Sequence, residues 1–259
     1  KTENGKRVLQ KNSYYQSLTT SAAMMSSRKK AEDLLHPLFL YKDTMEKLPE
    51  NIPLFPLPGA LLLPNSRLPL NIFEPRYINM VEDTIATKHR LIGMIQPVRI
   101  NTGKEQSENN KYQKVGCAGR IVSFTETGDG RYLITLEGVS RFNFKNEVEH
   151  EKPYILSHID WGLYKNDLIP FEDINGFDRN GFLEILKKYL DSAQIASDWE
   201  VLKKAKEDVL VNSLSMLCPF EPEEKQVLLE ADTIRNRLDV LVTLMKLSSE
   251  NDLESQYIQ

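Results

Sequence analysis

A chain of 259 residues, 41% of them apolar and 27% charged, holds enough side-chain material for one large core or two small ones. Its net charge of −4 argues against a protein whose main task is gripping nucleic acid. Apolar runs such as Ala60–Leu63 are far shorter than the roughly 20 residues a membrane helix needs, so no membrane partner is expected.

The charge is uneven along the chain. Residues 1–48 carry nine Lys/Arg against five Asp/Glu, residues 49–164 carry thirteen of each, and residues 165–259 carry eleven against nineteen. The basic, Ser/Thr-rich start has the composition of a transit peptide but no amphipathic stripe, so residues 1–48 are expected to be a largely disordered extension. Pro37 and Pro49 cut the lead-in to the ordered part, which carries an apolar strip at Leu34, Leu35, Leu38 and Phe39.

The stretch NIPLFPLPGALLLPNSRLPLNIFEPRY, residues 51–77, combines six prolines (Pro53, Pro56, Pro58, Pro64, Pro69 and Pro75) with mostly apolar neighbours. Proline fixes φ and removes a donor, so this is neither a long helix nor a central strand, and polar linkers are not built from Ile, Leu and Phe. A small curled β-barrel fits, with prolines at strand ends and corners and apolar side chains filling the interior. Ile52–Phe55 and Arg67–Phe73 are its first strands. Glu74 and Pro75 then open a helix with Tyr77, Met80, Val81 and Ile85 on one face. Residues 90–100 form a buried-type strand, followed by a polar loop. Residues 114–126 and 131–144 make a hairpin about Thr127-Gly128-Asp129-Gly130, because Asp-Gly supplies positive φ. Residues 153–161 form one more strand.

From about Pro170 the period becomes helical. Phe182, Ile185, Leu186, Tyr189 and Leu190 share a face, and Trp199 to Leu217 continues the pattern until Cys218-Pro219 ends it. Pro222 opens the next helix, and Asp232 is expected to cap the last one, whose face includes Leu238, Leu241 and Met245. The expected class is α+β: a β-barrel over 49–164 with one flanking helix, a C-terminal helical bundle over 165–250 and a tail from 251.

Chemistry-bearing patterns are sparse. Neither Gly5-Lys6 nor Gly103-Lys104 is followed by Ser or Thr, so no phosphate-cradling loop is encoded. Of the histidines only His150 and His158 lie near each other, and no ligand set for a metal forms around them. Cys117 and Cys218 read as buried packing residues. About a hundred positions apart, they make a poor disulfide framework, which favours a reducing, cytoplasmic location. No nucleophile has a base and an oxyanion donor at recognisable spacing. No cofactor is implied, and no enzyme.

Two motifs stand out. Phe73-Glu74-Pro75-Arg76-Tyr77 gathers an acid, a guanidinium and an aromatic at one helix start. Glu74 is expected to satisfy N–H groups there while Tyr77 enters the core; the alternative turns Arg76 toward a ligand. Gly138-Val139-Ser140-Arg141-Phe142 places a glycine where a barrel bends or another backbone approaches closely.

These stretches, with RLIGMIQP, VGCAGRI, DGRYLITLEGVSRF and SLSMLCPFEPEEKQVLLEADTIRNRL, resemble the N-terminal substrate-binding domain of the Lon protease family. The resemblance spans residues 52–247 and implies a PUA-like β pseudobarrel followed by a helical bundle. It is to the stand-alone bacterial proteins of this type, labelled peptidase S16 by similarity, since neither the ATPase nor the Ser-Lys peptidase module of Lon is present in these residues. It implies a non-catalytic polypeptide-binding or adaptor module. Its implied partners are unfolded or tagged polypeptides, a protease or chaperone, and a second copy of the chain. The expected peptide groove lies between barrel and bundle, near Arg76, Tyr77, Arg141 and Phe142, with Phe73, Glu74, Pro75 and Gly138 as structural residues. The alternative from the fold is an RNA-associated PUA-like protein, which the acidic charge disfavours; a cryptic peptidase comes last.

Overall fold

The computed structural model describes residues 48–98, 111–169, 174 and 176–257, the last eight by backbone alone. The expected N-terminal extension, apart from Leu48, and most of the loop after Ile100 lie outside these residues. The described chain forms two compact units. The β unit takes the described residues of 41–171 and, from far along the chain, 220–230; the helical unit takes those of 172–219 and 231–259.

The β unit is built from β1 (Asn51–Pro56), β2 (Arg67–Ile72), β3 (Leu91–Ile95), β4 (Val115–Glu126), β5 (Tyr132–Val148) and β6 (Ile155–Asp160). The sheet order is β2-β5-β4-β3-β1-β6, and a further β5–β6 pairing closes it into a barrel with β2 left as an edge. β1 and β3 are parallel; the other pairs are antiparallel. β1 lies inside the sheet although it carries two prolines, which the sequence placed at strand ends. Ile159 N–H donates to Glu50 O at 2.9 Å, so antiparallel alternation turns the backbone of Ile52 and Leu54 toward β6. The missing donor of Pro53 thus faces the β3 side, where pairing starts only at Leu54. That of Pro56 faces the β6 side, where pairing has already ended at Leu54. The strand changes partner around its prolines, so neither breaks a ladder.

Ile52, Leu54, Leu91, Ala118, Val139 and Phe142 fill the barrel with their neighbours. Phe142 is fully buried, and two glycines make room for its ring. A Cβ on Gly93 or Gly116 would lie 3.0 or 2.4 Å from Phe142 Cζ. Gly138 answers to a different crowding. A Cβ there would stand 2.1 Å from the carbonyl oxygen of Leu63, while the register jumps from Gly138↔Gly119 to Ser140↔Ala118 and leaves Val139 as the extra residue of a bulge.

Helix α1 (Pro75–Ala86) crosses from β2 to β3 with Pro75 in its first turn. Its buried face is Tyr77, Met80, Val81 and Thr84, spaced as an amphipathic stripe. Met80 and Val81 are wholly buried, each worth about 1.5–3 kcal/mol of hydrophobic stabilisation. After β6 the chain forms a 3-10 segment, η1 (Gly162–Leu168), which packs on β5 and which the sequence did not announce.

The helical unit holds α2 (Arg179–Ser192), α3 (Trp199–Lys204), α4 (Glu207–Leu217) and α6 (Ile234–Tyr257). Asp178 caps α2 by accepting from Gly181 N–H, and Asp198 caps α3 by accepting from Glu200 and Val201 N–H. Arg179 donates to the Leu202 and Lys203 carbonyls at the end of α3, where cations belong. The run from Trp199 to Leu217 is two helices, broken at Ala205 and Lys206, whose ψ angles are 144° and 151°. The Thr233 hydroxyl, where the sequence pointed to Asp232, accepts from Asn236 N–H at the start of α6. That helix runs to Tyr257, into the expected tail. Arg237 is buried and donates to Asn212 Oδ1 at 3.0 Å.

Between α4 and α6 in sequence, α5 (Pro222–Glu230) returns to the β unit. It is held there largely by polar groups meeting backbone. Lys225 Nζ donates to Gly59 O at 2.9 Å, Gln226 Nε2 to Val115 O at 3.1 Å, and Gln96 Nε2 to Pro222 O at 2.8 Å. Lys225, Gln226 and Gln96 are all buried, which such pairing makes tolerable.

Candidate functional site

The motif at the start of α1 divides between surface and core. The Glu74 carbonyl accepts from Tyr77 N–H at 2.9 Å and Ile78 N–H at 3.0 Å. Its carboxylate caps nothing and instead takes Arg76 Nη2 at 2.8 Å and Nε at 3.0 Å. That hydrogen bond is the main reason the Arg76 pKa is raised. The Arg76 side chain remains 51% exposed and lies over the Tyr77 ring, 4.5 Å from its centre. Tyr77 is buried against Phe55 with ring centres 4.2 Å apart, and burial pushes its hydroxyl pKa up. Phe73, just before the helix, is 63% exposed.

Arg141 and Phe142, expected to face a groove, lie in the interior of the β unit. Arg141 Nη2 meets Asp167 Oδ1 at 2.7 Å and its Nε meets Oδ2 at 2.9 Å; both side chains are 6% exposed. The same Oδ2 also takes Arg141 N–H, Nη1 donates to Leu229 O on α5 at 3.1 Å, and the Tyr164 ring lies 4.6 Å from the guanidinium. Burial is the largest single influence on Arg141 and lowers its pKa, but the Asp167 bond and charge outweigh it and leave the pKa raised. This is a bidentate buried pair of the kind arginine geometry favours. The motif residues therefore form no single exposed cluster. Asp167 was missed because a lone acid in LYKNDLIP carries no pattern.

A second feature was also missed. Past Ile121, β4 leaves β3 and continues with β5 and β2 as a three-stranded arm. Val122, Phe124, Leu133 and Phe73, all on or beside this arm, are 44–63% exposed. In sequence, Val122 and Phe124 alternate with Ser123 and Thr125 and so read as an interior face. Phe124 packs on Tyr132, ring centres 4.8 Å apart, and Tyr132 Oη donates to Glu82 of α1 at 2.8 Å.

Among the described residues no three His, Cys, Asp or Glu side chains are grouped to hold a metal ion, and no helix is long and apolar enough to cross a membrane.

Residues 51–246 match the family described as the ATP-dependent protease La (LON) substrate-binding domain. The chain belongs to this family. Lon protease 2 of Sorangium cellulosum is 28% identical over 111 residues, 43% of this chain but 13% of that protein, so the chain matches only a small part of the relative's length. Two solved structures share the fold. The Lon N-terminal domain protein from Xanthomonas campestris is 21% identical with a TM-score of 0.50, covering 74% of this chain and 97% of its own. The N-terminal domain of Mycobacterium avium complex Lon protease is 14% identical with a TM-score of 0.53, covering 76% and 98%. The mixed α+β architecture with a closed sheet is thus that of Lon N-terminal domains. What the family match covers is a substrate-binding domain, not a catalytic one.

Proposed function

We propose that this chain is a non-catalytic module that captures polypeptides and presents them to a separate protease or chaperone. The observation that carries the reading is the match of residues 51–246 to a substrate-binding domain. Its surface chemistry supports it. Arg76 is half-exposed over an aromatic ring, Phe73 is exposed three positions earlier, and these two groups suit a ligand with both main-chain carbonyls and apolar side chains. Tyr77 supports Arg76 from below, while Arg141 and Phe142 act on the ligand only by keeping the barrel in shape. A second copy of the chain is a further partner within this reading.

The test is fluorescence anisotropy with labelled, reduced and carboxymethylated α-lactalbumin, which stays unfolded, against the native form, with and without excess single-stranded RNA. Binding of the unfolded form alone, undisturbed by RNA and weakened by Arg76→Glu, is expected. Equal titration curves for both forms, or displacement by RNA, would sink the proposal.

A further inference from the structure

The three-stranded arm has two outer edges, and they are unlike. On the β2 side, Gly138 N–H donates to Ser66 O at 2.8 Å. Alternation along the β2–β5 ladder then turns Leu68, Leu70 and Ile72 toward β5 and leaves Arg67, Pro69 and Asn71 facing outward. Pro69 brings no N–H to that edge, which blunts it against further pairing. On the β4 side, Thr127 N–H donates to Arg131 O at 2.9 Å at the hairpin base. The same alternation turns Ser123 and Thr125 toward β5 and leaves the N–H and C=O of Phe124 and Glu126 facing outward. β3 pairing has ended at Arg120, and Ile121 N–H makes the last bond, to Arg90 O at 3.0 Å. Among the described residues no strand occupies this edge beyond that point, and no proline blunts it.

We infer that the outer edge of β4 from Val122 to Glu126 accepts an extended segment of another polypeptide as an added strand. This rests on the polypeptide-binding reading above and names its mode. Outward-facing backbone donors and acceptors at a two-residue repeat, without a partner strand among the described residues, select an extended main chain over a helix or a folded surface. The exposed Val122 and Phe124 select apolar side chains on that chain. The Val122 bulge, where Ile121↔Leu136 gives way to Ser123↔Thr135, falls where the pairing of β4 with β3 ends, so β4 continues past it with β5 alone beside it among the described residues. Charge sets the ends: exposed Arg90, whose carbonyl takes Ile121 N–H, stands at the base of the edge and exposed Glu126 near its tip. The fitting segment is extended, apolar and acidic at the end nearest Arg90.

The test is amide hydrogen exchange by NMR on the 15N-labelled protein, free and with reduced, carboxymethylated α-lactalbumin. In the free protein the Phe124 and Glu126 amides exchange fast and that of Thr125 slowly. Binding is expected to slow Phe124 and Glu126 at least tenfold. Phe124→Pro, which removes an outward donor without touching the β5 ladder, is expected to weaken binding more than Phe124→Ala. Binding that leaves both amides unchanged overturns the strand-addition mode while polypeptide capture stands. Slow exchange at both amides before any probe is added also overturns it, because the edge is then already covered. No binding by the wild-type protein overturns both readings.

Discussion

Arg141 of β5 and Asp167 of η1 meet at 2.7 Å in the interior of the β unit, and the same guanidinium reaches the Leu229 carbonyl of α5. One residue thereby ties three elements whose sequence positions span 88 residues. Removing one partner leaves a buried charge without its counter-charge. Arg141→Met and Asp167→Leu are each expected to cost about 3–5 kcal/mol in urea unfolding, with the double replacement Arg141→Met/Asp167→Leu costing less than the sum. Additive losses would show that the pair is not coupled.

Arg76→Ala behaves differently. Its ion pair with Glu74 is about half-exposed on both sides and contributes under about 1 kcal/mol. Stability is expected to hold within that limit while affinity for unfolded polypeptide falls several-fold. A large stability loss with unchanged affinity would make Arg76 a structural residue only.

Gly138→Ala and Gly128→Ala form a matched pair. The first forces a methyl to within 2.1 Å of the Leu63 carbonyl, beside the bulge at Val139, and is expected to cost at least about 1–3 kcal/mol. The second meets nothing within 4 Å and is expected to be close to neutral. Thermal melts distinguish them; equal shifts would mean that the bulge relaxes freely.

Tyr154 donates to Asp83 at 2.9 Å, and its pKa is pushed up to about 12, mainly by burial and then by Asp83, from an ordinary value of 10.0. The folded state holds this proton more tightly than the unfolded chain, so the contribution is complete below pH 10 and is lost between about 10 and about 12. Tyr154→Phe is expected to flatten the decline of stability across that window. An unchanged alkaline limb would assign the decline to other groups.

Much of the fold was legible where local chemistry and tertiary context agree. Pro75 opened a helix and Thr127-Gly128-Asp129-Gly130 closed a hairpin, because both act within a few residues. Pro53 misled because its tolerance depends on where β1 exchanges β6 for β3, a fact of partners rather than of neighbours. Val122 and Phe124 carried the alternation of an interior face yet stand on an arm past the end of β3, and strand length relative to partners leaves no mark on periodicity. Arg141 looked like a binding residue because a conspicuous cation near a glycine has the same appearance whether its acid is a ligand or Asp167.

The return of α5 to the β unit has a consequence for synthesis. The last strand of the barrel ends at Asp160, but the helix that supplies the Leu229 carbonyl to Arg141 and the Lys225 ammonium to Gly59 emerges only at 222–230. At ~5–20 residues per second the ribosome takes several seconds over the roughly 60 residues between. Throughout that interval the nascent barrel carries an unfinished flank, its Gln96 amide and Val115 carbonyl waiting for groups not yet made. A chain arrested before Glu230 would therefore emerge as a client for chaperones rather than as a smaller version of the module.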